Sequence, residues 1–244
     1  MGSEIFMIQI LDTGISTAEE NMRFDEKLLE HLASHKDPIL HLYQWKRPSA
    51  TYGYFIRPEN HLDFEHVARY DIDLARRPTG VGIVFHIWDL AFSFFMPSEH
   101  PAFFFNTLGN YEFVNQAVLK TVQDYFSLEP ELVQEDAPSL VPDSRNFCMA
   151  QPSQYDVIYK GMKVAGAAQR RQKAGYLHQG TISLFKPDVQ LLEEVLLSPE
   201  IVKAMTAYTF APVQDPQGLQ QVREDLQKLL ADNLERSLKS TAHA

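Results

Sequence analysis

The 244-residue sequence contains only one cysteine, Cys148. A single thiol excludes an internal disulfide framework and a zinc site built from several cysteines, and we predict no metal site. The thiol is either a reactive group or a buried, inert side chain, and composition leaves both alternatives open.

Long apolar runs are also missing. No segment has the roughly 20 consecutive apolar residues that a membrane-spanning helix needs. The first residues, MGSEIFMIQI, lack the charged and apolar regions of a signal peptide. We therefore expect a soluble, cytoplasmic protein with no membrane partner.

Positive charge is scarce. Lys and Arg number 22 against 32 Asp and Glu, which gives a formal net charge of -10. A nucleic-acid partner is not expected, because phosphate contacts need a basic surface. The nucleotide-binding patterns GxGxxG and GxxxxGKS/T are absent as well. The basic residues concentrate in two places: one is Arg76 and Arg77, and the other comprises Lys160, Lys163, Arg170, Arg171 and Lys173.

What the sequence does contain is enough apolar material for one sizeable core, since 45% of the residues are hydrophobic. We expect a single domain over residues 1–244. Predicted strands and helices are interspersed without a regular strand–helix–strand rhythm. This order favours an α/β fold of the α+β type, in which helices pack on a mixed sheet.

Hydrophobic periodicity and turn residues predict the main elements. Helices are expected over 17–33, from about Asn110, and over 216–240 as a C-terminal amphipathic helix. Strands are expected over 39–45, 83–85, 92–96 and 180–185. Lys160-Gly161 is typical of a tight hairpin turn. The segment after Trp45 is expected to be an irregular connection.

Three single positions carry further predictions. Ser16 with Glu19 has the form of a capping box at the start of the first helix. Asp25 falls on the apolar stripe of that helix, which indicates a buried hydrogen-bonding task. Pro187 is a candidate for the first turn of a later helix.

The first chemical motif is RRPTGVGIVFH, residues 76–86, in which two arginines lead into a glycine-containing turn and a buried strand. Arginine binds anions in bidentate fashion, and glycines let backbone N–H groups approach a ligand closely. Alone, the motif is also compatible with an ordinary turn before a strand.

The second motif runs from Asn146 to Thr181 and contains the sequences KVAGAAQ and LHQGT. It places Lys163 on a predicted strand beside small residues that leave room for a ligand. A lysine there can hold a carbonyl or phosphate oxygen as its charge develops. The alternative is a lysine at an exposed strand position.

Together these motifs resemble the lipoate–protein ligase and octanoyltransferase family, which is related to the biotin–protein ligases. The resembling segments are Asn21-Met22 with Asp25 and Leu28-Leu29, residues 45–54, residues 76–93 and residues 146–184. The resemblance implies a largely antiparallel biotin/lipoate ligase-like catalytic domain. It also implies attachment of lipoate or octanoate to the lysine of a lipoyl carrier domain.

The resemblance implies a role for each matching residue. Lys163 corresponds to the lysine that binds the acyl carbonyl or the phosphate of an acyl-adenylate. The acyl pocket and its basic entrance correspond to Arg76, Arg77, Thr79, Gly80, Gly82 and His86. Small residues against the ligand correspond to Ala165, Gly166 and Ala168. Asp156 resembles an aspartate near the ligase nucleotide, and His178, for which a structural role is the alternative, precedes the last site strand.

Two chemical routes are compatible with the family resemblance. In a transferase, Cys148 takes octanoyl from acyl carrier protein as a thioester and passes it to the carrier lysine. In a ligase, ATP and magnesium convert lipoate to lipoyl-AMP, which the carrier lysine attacks. We expect no permanently bound cofactor. The expected acceptors are lipoyl domains of 2-oxoacid dehydrogenase E2 subunits or the glycine cleavage H protein.

The sequence contains signatures of both routes. The order HIWDLAFS after the first motif follows the transferases. We also expect no ligase accessory domain after the last helix. Gly82, in contrast, follows the ligases, and Val81 stands where both expect glycine. These features favour transfer slightly, with the ligase route and a non-catalytic acyl- or lipoyl-domain-binding protein as alternatives.

Overall fold

The computed structural model describes residues 7–80, 82–135, 147 and 149–241. The predictions for Val81, Asn146 and Cys148 concern residues outside these ranges. Among the described residues, no helix combines the length and the apolarity needed to cross a bilayer.

The centre of the fold is a mixed sheet of seven strands within the described residues, in the order β1-β2-β6-β10-β9-β8-β7. Its strands are β1 Gln9–Ser16, β2 Ile39–Trp45, β6 Asp89–Pro97, β7 Glu131–Leu132, β8 Val157–Tyr159, β9 Met162–Gln172 and β10 Gly175–Ser183. Strands β1 and β2 are parallel, and every other neighbouring pair is antiparallel. The predicted mixed, largely antiparallel sheet is confirmed.

A second sheet of three strands, in the order β4-β3-β5, lies beside the first. It consists of β3 Ser49–Tyr52, β4 Asp73–Arg76 and β5 Ile83–His86. The predicted irregular connection after Trp45 is therefore wrong, because β3 forms inside it. A four-residue strand carries little local signal, and β3 is held by distant partners, parallel to β4 and antiparallel to β5.

The helices are α1 Ala18–Glu30, α2 Phe64–Arg69, α3 Thr107–Phe126, α4 Val189–Val195, α5 Pro199–Tyr208 and α6 Leu219–Thr241. Helices α3 and α6 pack on one face of the large sheet, where alternate residues of β6 enter the main core: Leu90, Phe92, Phe94 and Met96. The residues between them face α1, with Ala91 beside Met22 and Phe95 beside Leu29. This period of two is what a strand buried on both faces requires.

Two helices begin at positions other than those that the local sequence pattern predicts. The capping box is formed by Thr17 and Glu20 instead of Ser16 and Glu19, because Ser16 is still part of β1 and pairs with Trp45. Pro187 is not in the first turn of α4. Asp188 caps that helix, and its carboxylate accepts hydrogen bonds from the N–H groups of Gln190 and Leu191.

Residues with positive φ occur at two features of the large sheet, a hairpin turn and a β-bulge. Lys160 and Gly161 both have positive φ, 52° and 78°, and join β8 to β9 as the sequence predicts. In β1, the pairing register shifts between Asp12 and Ile15, where Gly14 has φ 69° and its N–H donates to the Asp12 carboxylate. This β-bulge lies on an end strand of the described sheet.

Candidate active site

A cavity lies between the two sheets. Its walls come from α1, β2, both motifs and the centre of the large sheet: Met22, Tyr43, Thr51, Arg77, Val84, His86, Ala91, Gly166, Ala167, Ala168, Gln179, Gly180 and Thr181. A mainly apolar wall with few polar groups suits an aliphatic chain.

The glycine-containing turn closes directly onto β9. Gly80 has φ 55°, and a Cβ built on it would lie 2.4 Å from the Cβ of Ala168. A side chain at position 80 would therefore strain the backbone and collide with the strand. Gly82 also has positive φ, 89°, and its carbonyl accepts a hydrogen bond from the Gly53 N–H. The two sheets meet at this turn because glycine and alanine occupy the contact.

Lys163 forms an ion pair with Asp156, with 2.7 Å between Nζ and Oδ2. Both side chains are buried. The Asp156 carboxylate also accepts hydrogen bonds from the Ser153 N–H and hydroxyl, at 2.7 and 2.8 Å, and from the Tyr111 hydroxyl at 2.8 Å. A buried ion pair is stable only when such additional bonds satisfy it. The ammonium is thus fixed in place by a carboxylate that is itself fixed.

Gly166 provides the space for this ion pair. A Cβ at this position would lie 2.4 Å from Cε and 2.6 Å from Nζ of Lys163, and 2.7 Å from Oδ1 of Asp156. Gly166 also lines the cavity, so the Lys163 ammonium lies beside a residue of the cavity wall. The sequence KVAGAAQ therefore contains both the cation and, three positions later, the glycine that leaves space for it.

A second polar group surrounds His86. Its Nδ1 lies 2.7 Å from Oδ2 of Asp89, and its Nε2 lies 2.9 Å from the Thr51 hydroxyl. Trp45 stacks on the imidazole at 4.4 Å. The Arg77 guanidinium is buried and donates to the Thr51 carbonyl at 2.9 Å. The histidine and arginine are thus held rigidly at the cavity wall.

Gln179 also lines the cavity, although it was not predicted from sequence as a site residue. Its side-chain oxygen accepts from the Thr79 hydroxyl at 2.6 Å, and its amide donates to Asp25 at 2.5 Å. Asp25 is fully buried and also bonds His41 at 2.7 Å and Ser93 at 2.5 Å. The predicted buried hydrogen-bonding task of Asp25 is confirmed, and that position was the signal that could have revealed this network.

His178 and Ala165 lie away from the cavity. Ala165 belongs to the main apolar core. His178 is fully buried and stacks on Phe92, and its Nδ1 accepts a hydrogen bond from the side-chain amide nitrogen of Gln169 at 2.9 Å. Burial lowers the pKa of His178 to about 3, so its ring is neutral near pH 7. The surroundings of His178 fit a structural residue of the sheet.

Two further residues that the sequence predicts for the site are Arg76 and Cys148. Arg76 is exposed, and its guanidinium lies 4.8 Å from the Tyr54 ring centre. Cys148 lies outside the described residues, so its role as a nucleophile stays a prediction. The structure thus brings Arg77, Gly80, Gly166 and Ala168 together around one cavity, with His86 on its wall and Lys163 at its edge.

Chemically, this site pairs a mainly apolar cavity with a fixed cation beside its wall. A positioned ammonium stabilises the negative charge that develops on a carbonyl oxygen during acyl transfer. Within the described residues, no group of three His, Cys, Asp or Glu side chains has an arrangement that could hold a metal ion. The fold and site therefore define a domain suited to binding an acyl chain beside a lysine.

Comparison with known proteins identifies the family to which this domain belongs. The family described as the lipoyl protein ligase A/B catalytic domain matches residues 17–239. Octanoyltransferase LipM of Anoxybacillus flavithermus is 32% identical over 83% of this chain and 74% of its own length. Octanoyltransferase LipM of Bacillus subtilis is 29% identical over 80% of this chain and 72% of its own. The chain belongs to the lipoyl protein ligase A/B catalytic-domain family.

Solved structures show the same fold. A putative lipoate protein ligase from T. acidophilum with bound lipoic acid has a TM-score of 0.70 and 21% identity, covering 98% of this chain and 93% of its own. A lipoate-protein ligase A bound with ATP also has a TM-score of 0.70, at 20% identity, covering 98% and 92%. The predicted lipoate ligase-like architecture is confirmed.

Proposed function

We propose that this chain is an acyltransferase that transfers an octanoyl group to the lysine of a lipoyl carrier domain. The observation that carries the proposal is the buried Lys163–Asp156 pair beside Gly166, which lines a mainly apolar cavity. Its relatives from Anoxybacillus flavithermus and Bacillus subtilis are octanoyltransferases, and this supports transfer over ATP-dependent ligation.

In the proposed reaction, the octanoyl chain occupies the cavity between the sheets. Gln179, which is held by Asp25, forms part of the wall around the chain. The carbonyl group then lies beside Gly166, where the Lys163 ammonium donates a hydrogen bond to the carbonyl oxygen. This bond strengthens as negative charge develops in the transition state, which is how a fixed donor accelerates acyl transfer.

Cys148 is the proposed nucleophile. Its thiolate attacks the carbonyl carbon of octanoyl–acyl carrier protein, and the carrier thiol leaves as the enzyme thioester forms. The ε-amine of the lipoyl-domain lysine then attacks this thioester, so that an amide forms, the amine loses a proton and the Cys148 thiol is released. No permanently bound cofactor takes part, and ATP and magnesium are needed only if the route is ligation.

The partners in this proposal are octanoyl–acyl carrier protein as donor and a lipoyl domain as acceptor. The acceptor belongs to a 2-oxoacid dehydrogenase E2 subunit or is the glycine cleavage H protein. Arg77, His86 and Thr79 position the walls of the acyl site in this proposal, and Arg76 lies at its basic entrance.

The test supplies an unmodified lipoyl domain with octanoyl–acyl carrier protein without ATP, or with lipoate, ATP and magnesium, and measures the carrier mass. We expect one octanoyl group to be added in the first mixture only. Cys148→Ala should abolish transfer and the thioester on the enzyme. Modification only in the second mixture, with Cys148→Ala fully active, would mean that the chain is a ligase.

The role of Lys163 is tested separately from its role in folding. Lys163→Ala leaves the Asp156 carboxylate buried without its cation, which costs about 3–5 kcal/mol of stability for a buried pair. The double variant Lys163→Met, Asp156→Asn removes both charges and should restore stability. We expect less than 1% of wild-type transfer in both, whereas the exposed-lysine control Lys228→Met keeps full activity. A folded double variant with normal activity would refute the assignment.

A further inference from the structure

A basic and aromatic surface lies next to the cavity, and the proposed chemistry does not use most of it. We call it the basic–aromatic surface and define it by Tyr54, Phe55, Arg76, Phe105, Arg170 and Arg171. It stands out because the chain as a whole carries a formal charge of -10.

One half of this surface is centred on Tyr54. Two guanidinium groups approach its ring, that of Arg76 at 4.8 Å and that of Arg170 at 5.7 Å from the ring centre. Phe55 contacts the same ring edge-on at 5.2 Å and is 80% exposed. Stacking of arginine on aromatic rings holds both kinds of side chain in place at the surface.

The other half continues along the end of β9. The Arg171 guanidinium donates to the Phe105 carbonyl and lies 5.2 Å from the Phe103 ring centre. Phe105 is 87% exposed and contacts Phe103 edge-on. Arg170 and Arg171 are consecutive in β9, so their side chains leave the strand on opposite faces. The two halves therefore lie on either side of the end of β9, each with an exposed phenylalanine.

Carboxylates of the described ranges do not neutralise the arginines of this surface. Arg76, Arg170 and Arg171 form no ion pair with any of them, whereas Arg47 pairs with Asp71 at 2.7 Å. Arginine and exposed aromatic residues are the side chains enriched in protein interfaces. Unneutralised guanidinium groups also attract an acidic partner over distances of about a Debye length.

The position of the surface connects it to the site. Arg76 precedes Arg77, and Arg170 follows two residues after Ala168, and both Arg77 and Ala168 line the cavity. Arg170 also donates to the Pro78 carbonyl in the glycine-containing turn, at 3.2 Å. A protein bound on this surface would therefore present its groups at the edge of the cavity.

We propose that the basic–aromatic surface is the docking site for the acceptor, an acidic lipoyl carrier domain; this inference rests on the proposed function. The acyl donor is held by its chain inside the cavity. The acceptor, in contrast, inserts only a lysine amine, so most of its recognition must come from the surface around the cavity. Acidic groups around that lysine would complement the three arginines.

The test uses Arg171→Glu, Phe55→Ser and the double variant, and none of these residues belongs to the proposed catalytic machinery. The matched control is Lys228→Glu, an equal change in charge at an exposed position of α6. Initial rates are measured while the concentration of an unmodified E2 lipoyl domain or that of octanoyl–acyl carrier protein is varied. Binding of the lipoyl domain is titrated calorimetrically in parallel.

We expect the double variant to raise KM and Kd for the lipoyl domain about tenfold, with little change in kcat or in KM for the donor. For the wild type, both constants should rise with salt. An unchanged KM and Kd for the lipoyl domain, a larger effect on the donor, or an equal effect of Lys228→Glu would each overturn the inference. Failure of the wild type to modify any lipoyl domain would instead refute the proposed function, and the binding titration would still decide docking.

Discussion

At the scale of single residues, Gly166 is the position where structure and chemistry are most tightly linked. Its missing side chain is what lets Lys163 reach Asp156 beside the cavity. The close contacts that a Cβ would make fall on the ammonium and on a carboxylate held by other bonds. A methyl group there would therefore displace the cation from its position beside the cavity wall.

We predict that Gly166→Ala lowers kcat for octanoyl transfer at least about 100-fold, because displacement of one positioned donor costs about that factor. The folded fraction should stay above 90% by circular dichroism at 25 °C. Gly218→Ala is the control, since a Cβ on Gly218 meets no atom within 4 Å. Equal activity of the two variants would show that the lysine position is not critical.

His178 gives a prediction about pH. Burial lowers the pKa of His178 from 6.5 to about 3, so the unfolded chain takes up this proton at a higher pH than the folded protein does. The stability that the neutral ring contributes is therefore complete above pH 6.5 and is lost as the pH falls from 6.5 toward 3.

The variant His178→Gln has no titrating group at this position, so its free energy of unfolding should fall less between pH 7 and pH 4 than that of the wild type. Urea unfolding at each pH measures this difference. The control His31→Gln, at an exposed histidine, should retain the wild-type pH dependence. A parallel decline for His178→Gln and wild type would contradict the assignment of a buried neutral ring.

At the scale of elements, the start of α1 shows how non-local pairing moves a boundary. Ser16 has a suitable side chain for capping, yet its backbone belongs to β1, and its carbonyl accepts from the Lys46 N–H. The cap therefore falls on Thr17, whose hydroxyl accepts from the Glu20 N–H while the Glu20 carboxylate accepts from the Thr17 N–H.

We predict that Thr17→Ala destabilises the protein by about 1 kcal/mol, the usual contribution of an N-cap. Ser16→Ala, a matched change one residue earlier, should alter stability by less than about 0.5 kcal/mol. Chemical denaturation of both variants measures this difference. A larger effect of Ser16→Ala would place the cap where the sequence pattern alone puts it.

The elements that could be predicted from sequence are those with an apolar pattern that extends over many residues. Strand β2 and helices α3 and α6 carry long apolar patterns, so their existence followed from periodicity. Strand β3 did not follow, because its four residues depend on β4 and β5 for every ladder bond. Strand β10 begins at Gly175 rather than near residue 180, because burial on both faces removes the alternation that would mark its start.

The site was predictable to the extent that its residues share a motif. Gly80, Gly166 and Ala168 were selected from sequence and lie together at the cavity. Gln179 was not selected, because its partners Asp25 and Thr79 are 154 and 100 residues away. Such a network exists only after α1 packs on the sheet.

At the scale of the whole molecule, the cavity joins the two sheets, so a ligand inside it should stabilise both together. We predict that octanoate at 100 times its Kd raises the free energy of unfolding by about 2.7 kcal/mol, within one transition. Differential scanning calorimetry measures the shift, and acetate, which has the carboxylate but not the chain, is the control. An equal shift with acetate would mean that the chain does not occupy the cavity. The single-domain extent of residues 1–244 stays a prediction.

The β-bulge of β1 has a consequence for how the protein behaves at high concentration. An end strand offers unpaired backbone groups to other molecules, and β1 also carries the exposed side chains of Ile10 and Ile15. The register shift at Gly14 bends the strand away from the flat geometry that edge-to-edge stacking into fibrils requires. The irregularity therefore makes β1 a poorer template for edge-to-edge pairing than a regular strand would be.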